Sequence, residues 1–446
     1  MIRGVTDTNE RPQVMDNSSA TVMLGLEGMA VLAVSERDGE LEYAIETTAS
    51  TGWCPVCGAA ARLHGRRPTW VRDLPAGDHP VTLVWVKRIW RCTHVECEQQ
   101  TWTEAHPQIR ARASWSERAR KQACRRVGRD GHSVAAVARD VGVGWATVMA
   151  AVVDYGTPLI ERPDRIEQVA AVGVDETAFL RARPGRSTVF ATGIVDLHRG
   201  KLIDIIPGRS RKVLADWLIN QPAEWAAGIH VAALDPFRGY GAALSAGLPH
   251  AVRVLDAFHV VRLGFAAVDD VRRRVQQHTY GHRGRRDDPL YGIRRVLRRG
   301  AEHLTTTGWA RLLVGIEAGD HDGQVAAAWV AAQELRAIYG CRDRDQAAAR
   351  LYDWTVTCID SHVPELRRLA RTITTWRAEF LAYFHTGRIS NGPTEAVNLL
   401  IKKILRVGHG FRNFHNYRLR LLLHCGITWQ HHTPTPLRGR LPRLAA

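Results

Sequence analysis

Between residues 21 and 47 apolar and polar residues alternate on both sides of Glu36-Arg37-Asp38-Gly39, the period-two pattern of two short strands joined by a turn. Residues 1–20, rich in Asn, Asp, Ser and Thr, have little to bury and are expected to form a disordered tail. Near Ser114 the period changes. Apolar residues recur every three or four positions across 115–128, 133–142 and 145–155, and Gly142 to Gly144 separates the last two stretches, so three short helices with a glycine turn are predicted. A proline-containing link at 156–165 precedes strand-like runs at 169–175, 187–198 and 201–207 and a helix-like run at 211–220. A buried-strand run at 229–235, a short helix, a strand at 251–256 and a long helix from Phe258 follow. From about 280 to 385 the pattern is helical throughout, and the chain closes with helices near 395–405 and 417–425.

This layout is multidomain α/β. The expected divisions are a tail at 1–20, a β hairpin and cysteine module at 21–107, a three-helix domain at 108–156, a mixed α/β domain at 165–430 and a basic tail at 431–446. The helical stretch at about 280–385 reads as an insertion into the fourth of these.

Charge narrows the partner. The 446 residues carry 61 Lys+Arg against 45 Asp+Glu, a formal charge of +16, which draws polyanions and makes nucleic acid the leading partner. No apolar run of about 18 residues occurs and the N-terminus is polar, so a soluble, cytoplasmic, nucleoid-associated protein with no membrane partner is expected.

Four of the eight cysteines have metal-ligand spacing. Cys54-Pro-Val-Cys57 and the pair Cys92 and Cys97 supply two corners of a tetrahedron, suited to one structural Zn²⁺ with no open position for water. The wider second pair leaves His94 as an alternative ligand. Arg62, Arg66, Arg67, Lys87, Arg88 and Arg91 surround the module, either as phosphate contacts or as a solvated face. In the helical segment, Ala135 and Ala138 permit close packing, and a helix opening at Trp145, with Thr147 as its polar group, could enter a major groove while Arg139 contacts phosphate. That is a helix-turn-helix arrangement; a plain helical bundle fits the same pattern.

Three carboxylates stand where chemistry is expected. Asp175 closes the apolar run 169–174, Asp235 closes 229–234, and Glu395 falls in the first turn of a helix opened by Ser390, Asn391, Gly392 and Pro393. Acids ending buried strands project from one sheet edge, and converging carboxylates suit a pair of divalent cations, the apparatus of phosphoryl transfer. Each acid also has a structural role open to it, as turn, cap or helix-dipole partner, and Glu176, Asp196, Asp204 and Asp256 compete for the same assignment.

The series CPVCG, a second cysteine pair, the helix-turn-helix, VGVDETAF, LDPFRGY, LDAFHVVRL, ISNGPTEAVNLLIKKI and GFRNFHNYRLRLLL resembles, in order from about 21 to 430, the ISL-three family of bacterial insertion-sequence transposases. The resemblance implies a ribonuclease-H-like mixed-sheet core with a helical insertion between its second and third acids. It also implies Asp175, Asp235 and Glu395 as ligands of two Mg²⁺ or Mn²⁺ ions, with Asp256 and His259 beside them and His259 touching phosphate, orienting a ligand or making a structural hydrogen bond. Ala396 and Pro236-Phe237 depart from the family pattern without altering an acid. Lys402, Lys403, Arg406, Arg412 and Arg418 lie in a stretch with no acid after Glu395 and are expected to grip DNA; the arginine-rich segment 272–299, with Tyr280 and Tyr291 to stack on unpaired bases, reads either as a further grip or as a solvated helix face. The implied function is DNA strand cleavage and transfer at the terminal inverted repeats of an element and at target DNA, by a homodimer or larger assembly on DNA. The alternatives are a non-catalytic, transposase-derived DNA-binding regulator and, through Tyr240 or Tyr417, a hydroxyl-nucleophile recombinase.

Overall fold

The computed structural model describes residues 17–430, so the expected basic tail at 431–446 and most of the N-terminal tail lie outside the described residues. The chain divides into two compact units, one built on the residues before Pro163 and the other on Pro163–Leu405 with Gly410–Ile427.

In the first unit β1 (Met29–Arg37) and β2 (Glu40–Thr47) form the expected hairpin. Asp38 and Gly39 both take positive φ, 53° and 76°, as a twisted two-residue hairpin turn requires. Helix α1 (Asn17–Leu24) corrects two expectations, since 17–20 is not tail and 21–24 is not strand. Ala20 and Leu24 bury against Val31 and Ile45, so packing on the sheet orders a segment whose local composition reads as disordered. Strands β3 (Ala61–Arg72) and β4 (Val81–Cys92) pair antiparallel, β4 also pairs parallel with β2, and β5 (Thr101–Thr103) adds to β4, giving the order β1-β2-β4-β3.

Three helices follow: α2 (Glu117–Gly128), α3 (Val134–Val141) and α4 (Trp145–Ile160). Ser116 and Ser133 cap the first two by accepting from the Ala119 and Ala136 amides. Gly142, at φ 70°, ends α3 in the left-handed conformation, and the chain turns through 111° into α4. Helix α4 runs through Pro158 to Ile160 instead of stopping near Tyr155; a proline this near the end forfeits one hydrogen bond, and burial of Ile160 offsets it. No single described helix is long and apolar enough to cross a membrane.

The second unit is built on a mixed sheet. β6 (Ala171–Leu180), β7 (Val189–Asp196) and β8 (Lys201–Pro207) form an antiparallel meander, and β9 (Val231–Leu234) and β10 (Val252–Leu255) continue it parallel to β6, in the order β10-β9-β6-β7-β8. Helices α5 (Arg211–Ile219), α6 (Ala223–Ala227) and α7 (Arg238–Gly247) connect the strands, and α8 (Ala257–Tyr280) leaves the end of β10. Then come α9 (Pro289–Gly292), α10 (Thr306–Gly319), α11 (Gln324–Ile338), α12 (Arg344–Asp360), α13 (Pro364–Thr375) and α14 (Arg377–Ala382), with no strand among the described residues of this stretch. Helices α15 (Gly392–Val407) and α16 (Phe414–Cys425) close the chain. Val174, Ile194, Leu234 and Leu255 of the sheet share one core with Leu335, Trp354 and Phe380 of the helices.

Candidate active site

The strand register converts three separate sequence runs into one acidic edge. Val174, Leu234 and Leu255 lie side by side across β6, β9 and β10, and each is followed by an aspartate: Asp175, Asp235 and Asp256. Parallel strands about 4.8 Å apart therefore deliver three carboxylates to the same end of the sheet.

Asp175, Asp235 and His259 bring candidate ligand atoms within 4.8 Å of one another, and so do Asp256, His259 and Glu395. The two groups share His259. Its Nε2 donates to Asp235 Oδ2 at 2.7 Å and its Nδ1 to Asp256 Oδ2 at 2.7 Å, so the imidazole is held between two carboxylates. Burial opposes its charge, but these two hydrogen bonds outweigh that and push it up to about 9. Asp256 caps α8 by accepting the His259 amide, which fixes the three-residue spacing of the pair. Asp235 caps nothing: α7 starts after Phe237, with no side-chain cap.

Glu395 sits in the first turn of α15, as the sequence pattern predicts, and that turn is clamped to the sheet edge. The Asn391 amide donates to Asp256 Oδ1 at 3.0 Å, and Asn398 Nδ2 donates to Asp175 Oδ2 at 2.5 Å. Burial, and then the Asp235 charge, push Asp175 up to about 7; Glu395 is raised by burial and by Asp256. Asp235 Oδ1 and Glu395 Oε1 are buried acceptors with no hydrogen-bond donor. Buried carboxylate oxygens that repel one another and lack donors suit hard divalent cations, so this donor set fits Mg²⁺ or Mn²⁺.

Asn398 and Gly173 are contributors that sequence reasoning did not single out, and Asn391 was expected only to open the helix. Gly173 admits α15: a Cβ there would lie 2.1 Å from Thr394 Oγ1. A polar Asn398 three residues past Glu395, among buried Val397 and Ile401, was the available signal. Of the competing acids, Glu176 lies near the cluster and is raised by burial and by Asp235, with Arg209 3.6 Å away. Asp196 and Asp204 serve elsewhere. Asp196 pairs with Arg199, and Asp204 accepts from Trp217 and Arg418. Arg418, expected to meet DNA, is thus held by Asp204 in a two-pronged grip, whereas Lys402, Lys403, Arg406 and Arg412 are exposed or half-exposed. Tyr240 is fully buried on Thr192, and Tyr417 packs among Phe179, Phe411 and Phe414, so neither presents a nucleophilic hydroxyl. Tyr291 lies 3.9 Å from the Arg294 guanidinium and Tyr280 stacks on His282.

In the first unit, Cys54, Cys57, Cys92 and Cys97 converge, with Sγ separations of 3.7 Å (Cys54 to Cys97) and 3.5 Å (Cys57 to Cys92). The β3–β4 hairpin brings the two pairs together, and the backbone amides of Cys57 and Val56 pull the Cys54 thiol down to about 6. His94 contributes its backbone amide, 3.4 Å from Cys92 Sγ, and its ring is not in the cluster. Four thiols without a disulfide fit one structural Zn²⁺. Among the surrounding basic residues, Arg88 is bound to Glu46, Thr47 and Glu104 and so serves the fold. Trp145 is 53% exposed at the start of α4, Thr147 is half-buried beside it, and Arg139 is exposed on α3.

Comparison with known proteins follows the same division. A family described as "Transposase" matches residues 172–421. The zinc-finger of transposases IS204/IS1001/IS1096/IS1165 matches 50–97, and the helix-turn-helix domain of transposase family ISL3 matches 104–156. The transposase for insertion sequence element IS1001 of Bordetella parapertussis is 26% identical over 392 residues, covering 85% of this chain and 90% of that protein. The transposase for IS1557 of Mycobacterium tuberculosis is 26% identical over 336 residues, covering 70% and 72%.

Proposed function

This chain belongs to transposase family ISL3, and from that premise we propose that it cuts and joins DNA at the ends of a mobile element by metal-dependent phosphoryl transfer. The observation that carries the proposal is the line of Asp175, Asp235 and Asp256 along one sheet edge, with Glu395 pressed against it from α15.

Asp175, Asp235 and Glu395 would hold the cations, Asp235 and Glu395 through acceptor oxygens that have no donor and Asp175 beside them. When bound, two divalent ions supply a means to activate the attacking water or 3′-hydroxyl and to steady the leaving oxygen. The protein's own part is positioning. His259 fixes Asp235 through Nε2 and is itself oriented by Asp256, and Asn398 fixes Asp175. The exposed start of α4 would enter the major groove of the terminal repeats, with Arg139 on phosphate. Lys402, Lys403, Arg406 and Arg412 would hold the backbone as point charges and forks. Two ends must be held together for transposition, so a dimer or larger assembly on DNA is part of the proposal.

The test is a supercoiled plasmid carrying the element ends, incubated with protein and Mg²⁺ or Mn²⁺. Cleavage by the parent, and its loss in Asp175→Ala, Asp235→Ala and Glu395→Ala with DNA binding intact, is the expected result. Equal cutting by all three variants would show that the carboxylates are misassigned. Metal-independent binding without cleavage by the parent itself would leave a regulator.

A further inference from the structure

Helix α8 carries His259 in its first turn and, farther along, one wall of a basic cavity that the proposed chemistry does not use. The cavity, about 350 Å³, is lined by Arg272, Arg273, Arg283, Arg294, Arg295 and Arg298, with Asp269 as its sole acid. Asp269 accepts from Arg272 at 2.8 Å, Arg273 at 2.6 Å and Arg298 at 3.0 Å, and Arg272 is 3% exposed. A second cavity of about 470 Å³ shares Arg294 and Arg295, adds Arg299 and Arg311, and has no acid in its lining.

Charge balance separates this cluster from an ordinary ion-pair network. Among the described residues, Arg283, Arg295 and Arg299 have no carboxylate partner, while Arg294 and Arg311 meet only backbone carbonyls and, for Arg294, the Tyr291 ring. Guanidinium groups gathered around a single carboxylate repel one another until an anion joins them. Their planar forks match phosphate oxygens two at a time. Two cavities that share Arg294 and Arg295 as lining suit successive phosphates of a polymer better than one small ion.

We propose that these two neighbouring cavities grip the phosphodiester backbone of duplex DNA about six base pairs from the bond acted on at the carboxylate edge. The spacing comes from α8. Arg272 lies 13 residues beyond His259 (272 − 259) on the same helix; at 1.5 Å per residue that is about 20 Å, which for a duplex lying along α8, as the proposal has it, is about six steps at 3.4 Å. The register relative to the cut rests on the proposed catalytic site; the binding itself does not.

The full-length protein is titrated with a labelled element-end duplex over a range of NaCl concentrations. Arg283→Ala, Arg295→Ala and Arg299→Ala are combined, because none of the three removes a partner from a carboxylate. The slope of log affinity against log salt should become shallower by about 2 to 3, near 0.9 for each phosphate that is no longer neutralised. A methylphosphonate five to seven nucleotides from the cleaved bond, tried on each side, should weaken the parent and leave the variant unaffected. Asp175→Ala should keep the parental slope while losing cleavage, which separates a failure of this proposal from a failure of the catalytic one. An unchanged slope in a triple variant that melts like the parent overturns the proposal. So does loss of inorganic phosphate binding with the DNA slope intact, which would mark a small-anion site.

Discussion

Gly173→Ala tests how the third acid is positioned, because this single methyl group would stand where α15 docks on β6. The added Cβ would lie 2.1 Å from Thr394 Oγ1, 2.3 Å from Asn391 Oδ1 and 2.7 Å from Leu197 Cδ2. Ordinary van der Waals approach begins near 3.4 Å, so the first turn of α15 must retreat by about 1.3 Å (3.4 − 2.1). Thr394 and Asn391 are both fully buried, which leaves no open space for a side chain to swing into. The same turn carries Glu395, and its next turn carries Asn398 on Asp175. Overpacking of this kind costs about 1–3 kcal/mol of stability. A catalytic group displaced by about 1 Å loses on the order of 100-fold in rate. Single-turnover cleavage of a labelled element-end duplex in Mn²⁺ reads the rate, and differential scanning fluorimetry reads the stability. Gly193→Ala is the matched control: Gly193 pairs with Asp175 across β7, yet a Cβ there meets nothing closer than 3.8 Å. Cleavage by Gly173→Ala within twofold of the parent, or equal losses in both variants, would refute the docking argument.

Two further outcomes follow from the electrostatics and the cysteines. Asp175, ordinarily near 3.8 and here about 7, binds its proton more tightly when folded, so metal-free stability falls as pH rises from about 4 to 7. His259, ordinarily near 6.5 and here about 9, contributes stability that is full below 6.5 and lost as pH rises through 9, in the same direction. In EDTA the melting temperature should therefore decline between pH 5 and 9, and millimolar Mg²⁺ should flatten the decline; a rise in EDTA would contradict the carboxylate geometry. The four-cysteine cluster should hold one zinc per chain by elemental analysis, and Cys57→Ser should lower that content and open the 50–97 segment to protease; full occupancy in the variant would exclude Cys57 as a ligand.

Much of the organisation was legible because it is local. Alternation about Asp38-Gly39, the helical period of α2 and α3, the glycine turn before Trp145 and the paired cysteines each depend on neighbours a few residues away. Helix α1 was missed because its order comes from burial of Ala20 and Leu24 against β1 and β2, and the last turn of α4 because Ile160 is buried. The acids at strand ends were visible as types at positions. Whether Asp235 capped a helix was not, since the cap at this edge is Asp256.

Sequence by itself determined which residues carry charge, which runs are apolar enough to become buried strands, and that an aspartate follows each of three of them. Tertiary structure alone decided that those strands align in register, that His259 bridges Asp235 and Asp256, and that Asp204 claims Arg418. The reason is physical: side-chain periodicity is set by backbone geometry within one segment, whereas register, docking of α15 on Gly173 and pairing of remote charges depend on how separate segments share one core.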